Sequence, residues 1–129
     1  MIDRIGHINI KTPLFEETCA FYTGLFDLVR GPAHTMADQD ANAWLSTAAG
    51  QPIIHVNTGA DAIPVGAPSR LDHIAFECRD VAEMRARLEQ MGVSYVHSPT
   101  RVEWMQQIFF RDPNGIRIEL TFDMRIGDE

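Results

Sequence analysis

Residues 5–12 read IGHINIKT and residues 71–78 read LDHIAFEC. Laid over one another with an offset of 66 residues, they place His7 on His73 and Ile8 on Ile74. Such a repeat means two copies of one supersecondary unit, and it narrows the possible folds more than any single motif. The segments after the two opening strands repeat too. TPLFEETCAFYTGLF spaces Leu14, Cys19, Phe21, Tyr22 and Leu25 in a broadly helical pattern, with Thr12 and Pro13 suited to N-cap and first-turn positions. RDVAEMRARLEQMG does the same with Val81, Met84, Leu88 and Met91, opened by Asp80 and closed by Gly92. Three short strand candidates come next in each half: DLVRGP, NAWLST and PIIHVN, then VSYVHS, EWMQQIFF and IRIELTF. DPNG at 112–115 supplies the turn before the last of them. Each half reads βαβββ.

The expected fold class is therefore α+β, with modules at 3–58 and 70–122 inside one domain spanning 1–122. GADAIPVGAPS at 59–69, rich in Gly, Ala and Pro, is the connection, and 123–129 is an acidic tail. A chain of 129 residues with 45% hydrophobic content can bury a sizeable core. The formal charge of -7, with no run of Lys or Arg, repels a phosphate backbone and excludes nucleic acid as the expected partner. No apolar stretch approaches the roughly 18 residues that cross a bilayer, and MIDRIGHINI lacks the marks of a signal peptide, so a cytoplasmic location is expected. Cys19 and Cys78 have no metal-type spacing and read as small packing residues.

Side chains alternate along a strand, so parity tells which residues share a face. His7 and Asn9 oppose Ile8 and Ile10, and His73 opposes Ile74 and Phe76. At the other end of the halves, IIHV at 53–56 overlays RIEL at 117–120 and puts His55 on Glu119. His55 opposes Ile54 and Val56; Arg117 and Glu119 oppose Ile116, Ile118 and Leu120. The aliphatic faces are expected under the two helices, leaving His7, His73, His55 and Glu119 to line a groove. A single strand histidine is more often a hydrogen-bonded interior residue, and Glu119 alone could pair with Arg117 or Arg101. Four such residues, related in pairs and sharing parity, read together as metal ligands. Three imidazoles and a carboxylate suit Fe, Mn, Zn, Ni or Co and are too rich in nitrogen for calcium. His34 and His97 read as rim residues; Trp44, Tyr22, Phe109 and Trp104 as core or cavity wall; Met36, Met84, Met91 and Met105 as packing.

GHINI, FYTGLFDL, LDHIAFE and above all FFRDPNGIRIEL resemble segments of the vicinal oxygen chelate superfamily, over about residues 3–122. That family includes glyoxalase I, extradiol dioxygenases, methylmalonyl-CoA epimerase, and fosfomycin and bleomycin resistance proteins. The resemblance implies paired βαβββ modules curled into an open sheet around a divalent transition metal that chelates two adjacent oxygens of a small substrate. It implies His7, His73 and Glu119 as metal ligands. His55 stands where glyoxalase-like members carry Glu and epimerase-like members Gln, as a fourth ligand or as an acid/base together with Glu119. The His, His, Glu triad leans to extradiol-type dioxygenase; a lyase or isomerase, and a metal-free drug- or metabolite-binding resistance protein, are the alternatives. Small members are commonly dimers, so a homodimer is expected, with the modules pairing within a chain or between chains.

Overall fold

The computed structural model describes residues 1–33, 36–99 and 102–126. The chain divides into two compact units, Met1–Ala67 and Pro68–Glu129. The first unit runs β1 (Ile8–Lys11), α1 (Phe15–Phe26), β2 (Val29–Gly31), β3 (Asn42–Ser46) and β4 (Pro52–Asn57). The second runs β5 (Ile74–Cys78), α2 (Val81–Gln90), β6 (Tyr95–Pro99), β7 (Met105–Arg111) and β8 (Arg117–Asp123). Each is the βαβββ unit that the repeat announces. The sheets have matching orders, β1-β4-β3-β2 and β5-β8-β7-β6. In each, the opening strand lies parallel to the closing one and the other pairs are antiparallel. A parallel neighbour requires a crossover, and the helix after the opening strand supplies it.

Alternation sorts the faces as expected. In the first unit Ile10, Ala43, Leu45, Ile54 and Val56 are buried together with Phe15, Cys19, Tyr22 and Leu25 of α1. In the second, Ile108, Phe110, Ile118, Leu120 and Phe122 form the buried side of the sheet, and Met84 and Leu88 are the buried residues of α2. Helix α2 is also tied to β6: the Tyr95 hydroxyl donates to Glu89 at 2.6 Å and accepts from Arg85 at 3.2 Å. Burial pushes the Cys78 thiol up to about 11 and raises that of Cys19, so both are neutral packing groups rather than thiolates.

Turn chemistry fixes the registers. The 112–116 turn folds around the buried Asp112, whose carboxylate accepts from the backbone N–H groups of Asn114 and Ile116 at 2.8 and 2.9 Å. Gly115 sits at φ 83, a conformation in which other residues are strained. That hairpin sets Phe109 opposite Glu119 and Ile108 opposite Leu120. Asp80 caps α2, its side chain accepting from the Glu83 N–H at 3.0 Å, and Gly92 follows the helix at φ 70.

Some expectations are corrected. Thr12 and Pro13 do not cap α1; Leu14 holds the N-cap position with no side-chain cap. The Thr12 N–H still donates to the Asn57 carbonyl at 2.8 Å, and its hydroxyl accepts from the Leu14 N–H at 2.9 Å. Met36 and Met91 are each 38% exposed and do not serve as packing, whereas Met84 does. His97 lies within β6, half-buried, with Nε2 2.7 Å from the Gln106 amide oxygen. His34 and Arg101 lie outside the described residues.

Candidate metal centre

His7 and His73 each stand one residue before the first ladder pair of their sheet, Ile8 with Ile54 and Ile74 with Ile118. The sequence places them inside the strands; hydrogen-bonded pairing begins just after them. Each keeps the parity of the polar face while its backbone leaves the sheet.

In the first unit, pairing across β1, β4 and β3 puts Asn9 and Trp44 on either side of His55. The His7 ring meets the Trp44 ring edge-on at 4.6 Å and 74°, and the other imidazole, His55, stacks on Trp44 at 5.0 Å and 17°. His55 Nε2 lies 2.9 Å from Asn42 Oδ1. Asn9 Nδ2 donates to the Asn57 side chain and to the His55 carbonyl, both at 2.9 Å, which extends the polar face. Burial, followed by the neighbouring His7, holds the His55 imidazole below its ordinary value of 6.5. Near neutrality it is unprotonated and has a lone pair to offer.

In the second unit, the parallel pairing of β5 with β8 sets His73 beside Glu119. His73 Nε2 lies 3.7 Å from Glu119 Oε1, too far for a hydrogen bond. The Glu119 side chain is only 15% exposed, and its other oxygen accepts from the Thr121 hydroxyl at 3.2 Å. On the far side of the ring, His73 Nδ1 lies 2.7 Å from Asp72 Oδ2, which also accepts from Arg117 at 3.1 Å. A carboxylate only accepts, so Nδ1 carries a hydrogen, and in the neutral imidazole the lone pair is on Nε2, towards Glu119. The His73 and Arg117 contacts, in that order, hold the Asp72 carboxyl below the usual carboxylate range.

This carboxylate, imidazole and open lone pair are the outer-shell arrangement that orients histidine ligands in metal sites. Asp72 was not anticipated from the sequence. The only signal was a carboxylate immediately before the strand histidine in LDHI. Arg117, one expected partner of Glu119, is instead spent on Asp72, while its guanidinium lies 4.8 Å over the Phe109 ring. Arg117 therefore pairs with Asp72 rather than with Glu119. Replacing Asp72 by alanine is expected to weaken divalent-metal affinity by ~10–100-fold. Calorimetric titration with Mn(II) would show it, and an unchanged affinity would remove Asp72 from the site.

Of the expected ligands, the first unit thus presents His7 and His55 on one face, and the second presents His73 beside Glu119. Among the described residues, no three His, Cys, Asp or Glu side chains are gathered into a group that could hold a metal ion. The chemistry of the donors nevertheless fits a divalent transition ion: imidazoles, one oriented by a carboxylate, and a half-buried carboxylate. The aromatic residues also correspond. Trp44 faces His55 in register, and Phe109 faces Glu119.

The family model for the Glyoxalase/Bleomycin resistance protein/Dioxygenase superfamily matches residues 4–120. The chain belongs to this superfamily. A curated relative, Glyoxylase I 4 of Arabidopsis thaliana, is 37% identical over 51 residues, covering 38% of this chain and 29% of that protein. The match therefore spans less than a third of the relative's length. Among solved structures, a glyoxalase family protein from Bacillus anthracis superposes with a TM-score of 0.72 at 22% identity, covering 95% of this chain and 97% of the other. The fosfomycin resistance protein FosX of Listeria monocytogenes gives 0.71 at 24%, covering 93% and 90%. FosX of Mesorhizobium loti gives 0.69 at 19%, covering 95% and 93%. At these identities the structures show a shared fold. The superfamily includes enzymes, binds small molecules and typically uses divalent metals. No helix of the described residues is long and apolar enough to cross a membrane.

Proposed function

We propose that this chain is a divalent-metal-dependent enzyme of the cytoplasm that binds two adjacent oxygens of a small organic substrate. His7, His73 and Glu119 are its metal ligands, with His55 alongside them. The observation that carries this reading is the Asp72–His73–Glu119 arrangement. One imidazole is fixed with its lone pair towards a half-buried carboxylate, and Arg117 is drawn away from that carboxylate. A bound ion would supply Lewis acidity and a template for the two oxygens. The chain's own part is to hold the ligands, to offer the unprotonated His55 and to wall the site with Trp44 and Phe109. Its donors are split between its two units, and a homodimer is part of the proposal.

Two imidazoles and one carboxylate leave coordination positions open and favour ring-cleaving dioxygenase chemistry if the ion is iron. A second reading, a lyase or isomerase or an enzyme acting on fosfomycin, is favoured by the relatives named Glyoxylase I 4 and FosX. A metal-free resistance protein that only binds its ligand is disfavoured by the retained donor set. Elemental analysis of the purified protein, followed by oxygen uptake with catechols and assay with methylglyoxal and glutathione and with fosfomycin, separates these. Iron with oxygen uptake supports ring cleavage. Zinc, nickel, cobalt or manganese without uptake moves the assignment to the second reading, and protein that stays metal-free under replete conditions overturns both.

A further inference from the structure

His55 stands beside the proposed ligands with its role unassigned, and a hydrogen-bond chain behind it decides which of its nitrogens can act. Asn42, at the start of β3, is 6% exposed. Its Nδ2 donates at 2.8 Å to the backbone carbonyl of Asp38, a group that can only accept. Turning the amide over would set its oxygen against that carbonyl, so the orientation of Asn42 is fixed from behind. Oδ1 must then be the atom facing His55 Nε2 at 2.9 Å. An amide oxygen cannot donate, so Nε2 carries the hydrogen.

We infer that Asn42 is a positioning residue that locks His55 in the Nε2–H tautomer and leaves Nδ1 as the only lone pair of the ring. Trp44, stacked at 17° on the same imidazole, restricts rotation that would exchange the two nitrogens. The His55–Asn42 bond also survives protonation: an imidazolium carries hydrogen on both nitrogens, so the ring keeps its partner when Nδ1 takes up a proton. Whatever His55 binds, a proton from the substrate or a cation, it binds through Nδ1. His73 is set the opposite way, with Nδ1 held by Asp72 and Nε2 presented. The two histidines therefore differ in which nitrogen they offer, and Asn42 and Asp72 make the difference.

The inference deepens the proposed function, but it is tested without activity and without metal. The full chain has five histidines, so long-range nitrogen–proton correlation spectra of metal-stripped protein can be assigned by loss of one imidazole in His55→Gln. Wild type is expected to show His55 as a single Nε2–H tautomer above its titration range. Asn42→Leu, which offers no acceptor, is expected to give a mixture of both tautomers. A wild-type His55 carrying its hydrogen on Nδ1 would overturn the inference, as would a folded Asn42→Leu with an unchanged tautomer. If Asn42→Leu does not fold, the tautomer of wild type decides. Adding Zn(II) then separates the two claims. Zinc bound at His55 Nε2 contradicts the lock, whereas failure to bind zinc at all contradicts only the metal reading.

Discussion

Glu119→Ala is expected to lose divalent metal almost entirely, with affinity falling by more than the ~100-fold that marks the upper end for outer-shell changes. The side chain projects from the middle of β8, flanked in register by Ala75 and Phe109, with its carboxylate towards His73 Nε2. Removing it leaves imidazoles without the anionic donor that offsets the ion's charge. Glu77 makes the control: it shares the parity of Ala75 on β5, two pairs along at Thr121, and is exposed. Glu77→Ala should bind metal as wild type does. Both variants are read by metal content after purification and by calorimetric titration. Retention of metal in Glu119→Ala, or its loss in Glu77→Ala, would move the site elsewhere.

The other large effect is on stability. Leu120, next to Glu119 but on the opposite face, is fully buried, with Phe76 and Ile108 as its register partners. Leu120→Ala removes buried methyl groups and leaves a cavity between strands that cannot close without breaking the ladder. The expected cost is about 2–5 kcal/mol, a large part of the roughly 5–15 kcal/mol that holds an ordinary domain together. Denaturant unfolding measures it. A loss below about 1 kcal/mol would mean that the sheet relaxes into the space, contrary to the close packing inferred for this unit. The strand that carries the ligand is thus held by the aliphatic residues alternating with it.

The polar and buried faces could be assigned from the sequence because a strand alternates with a period of two, and the repeat doubled each observation. Ile54, Val56, Ile118 and Leu120 are buried, as their parity required, and His55 and Glu119 occupy the other face. The partners of the site residues could not be read this way. Asp72 meets Arg117 because β5 lies parallel to β8, a contact between residues far apart in sequence that no local pattern encodes. Asn42 reaches His55 through the antiparallel pairing of β3 with β4, and its orientation depends on a carbonyl in the preceding loop. The Thr12 expectation failed for a related reason: a capping residue was judged by its type, while its backbone was still committed to the sheet. Met91 follows the helical spacing of α2, but it lies at the helix end, where periodicity no longer guarantees cover.

The central claim is that the two halves of the repeat place His7, His73 and Glu119 around one cation. Diffraction from crystals grown with Mn(II), with the ion located by its anomalous signal, tests it most directly. The expected result is one ion bonded to His73 Nε2, Glu119 and the imidazole of His7, from the same chain or from a second copy. An ion held by other residues, or those three groups left without one at saturating Mn(II), would contradict the account.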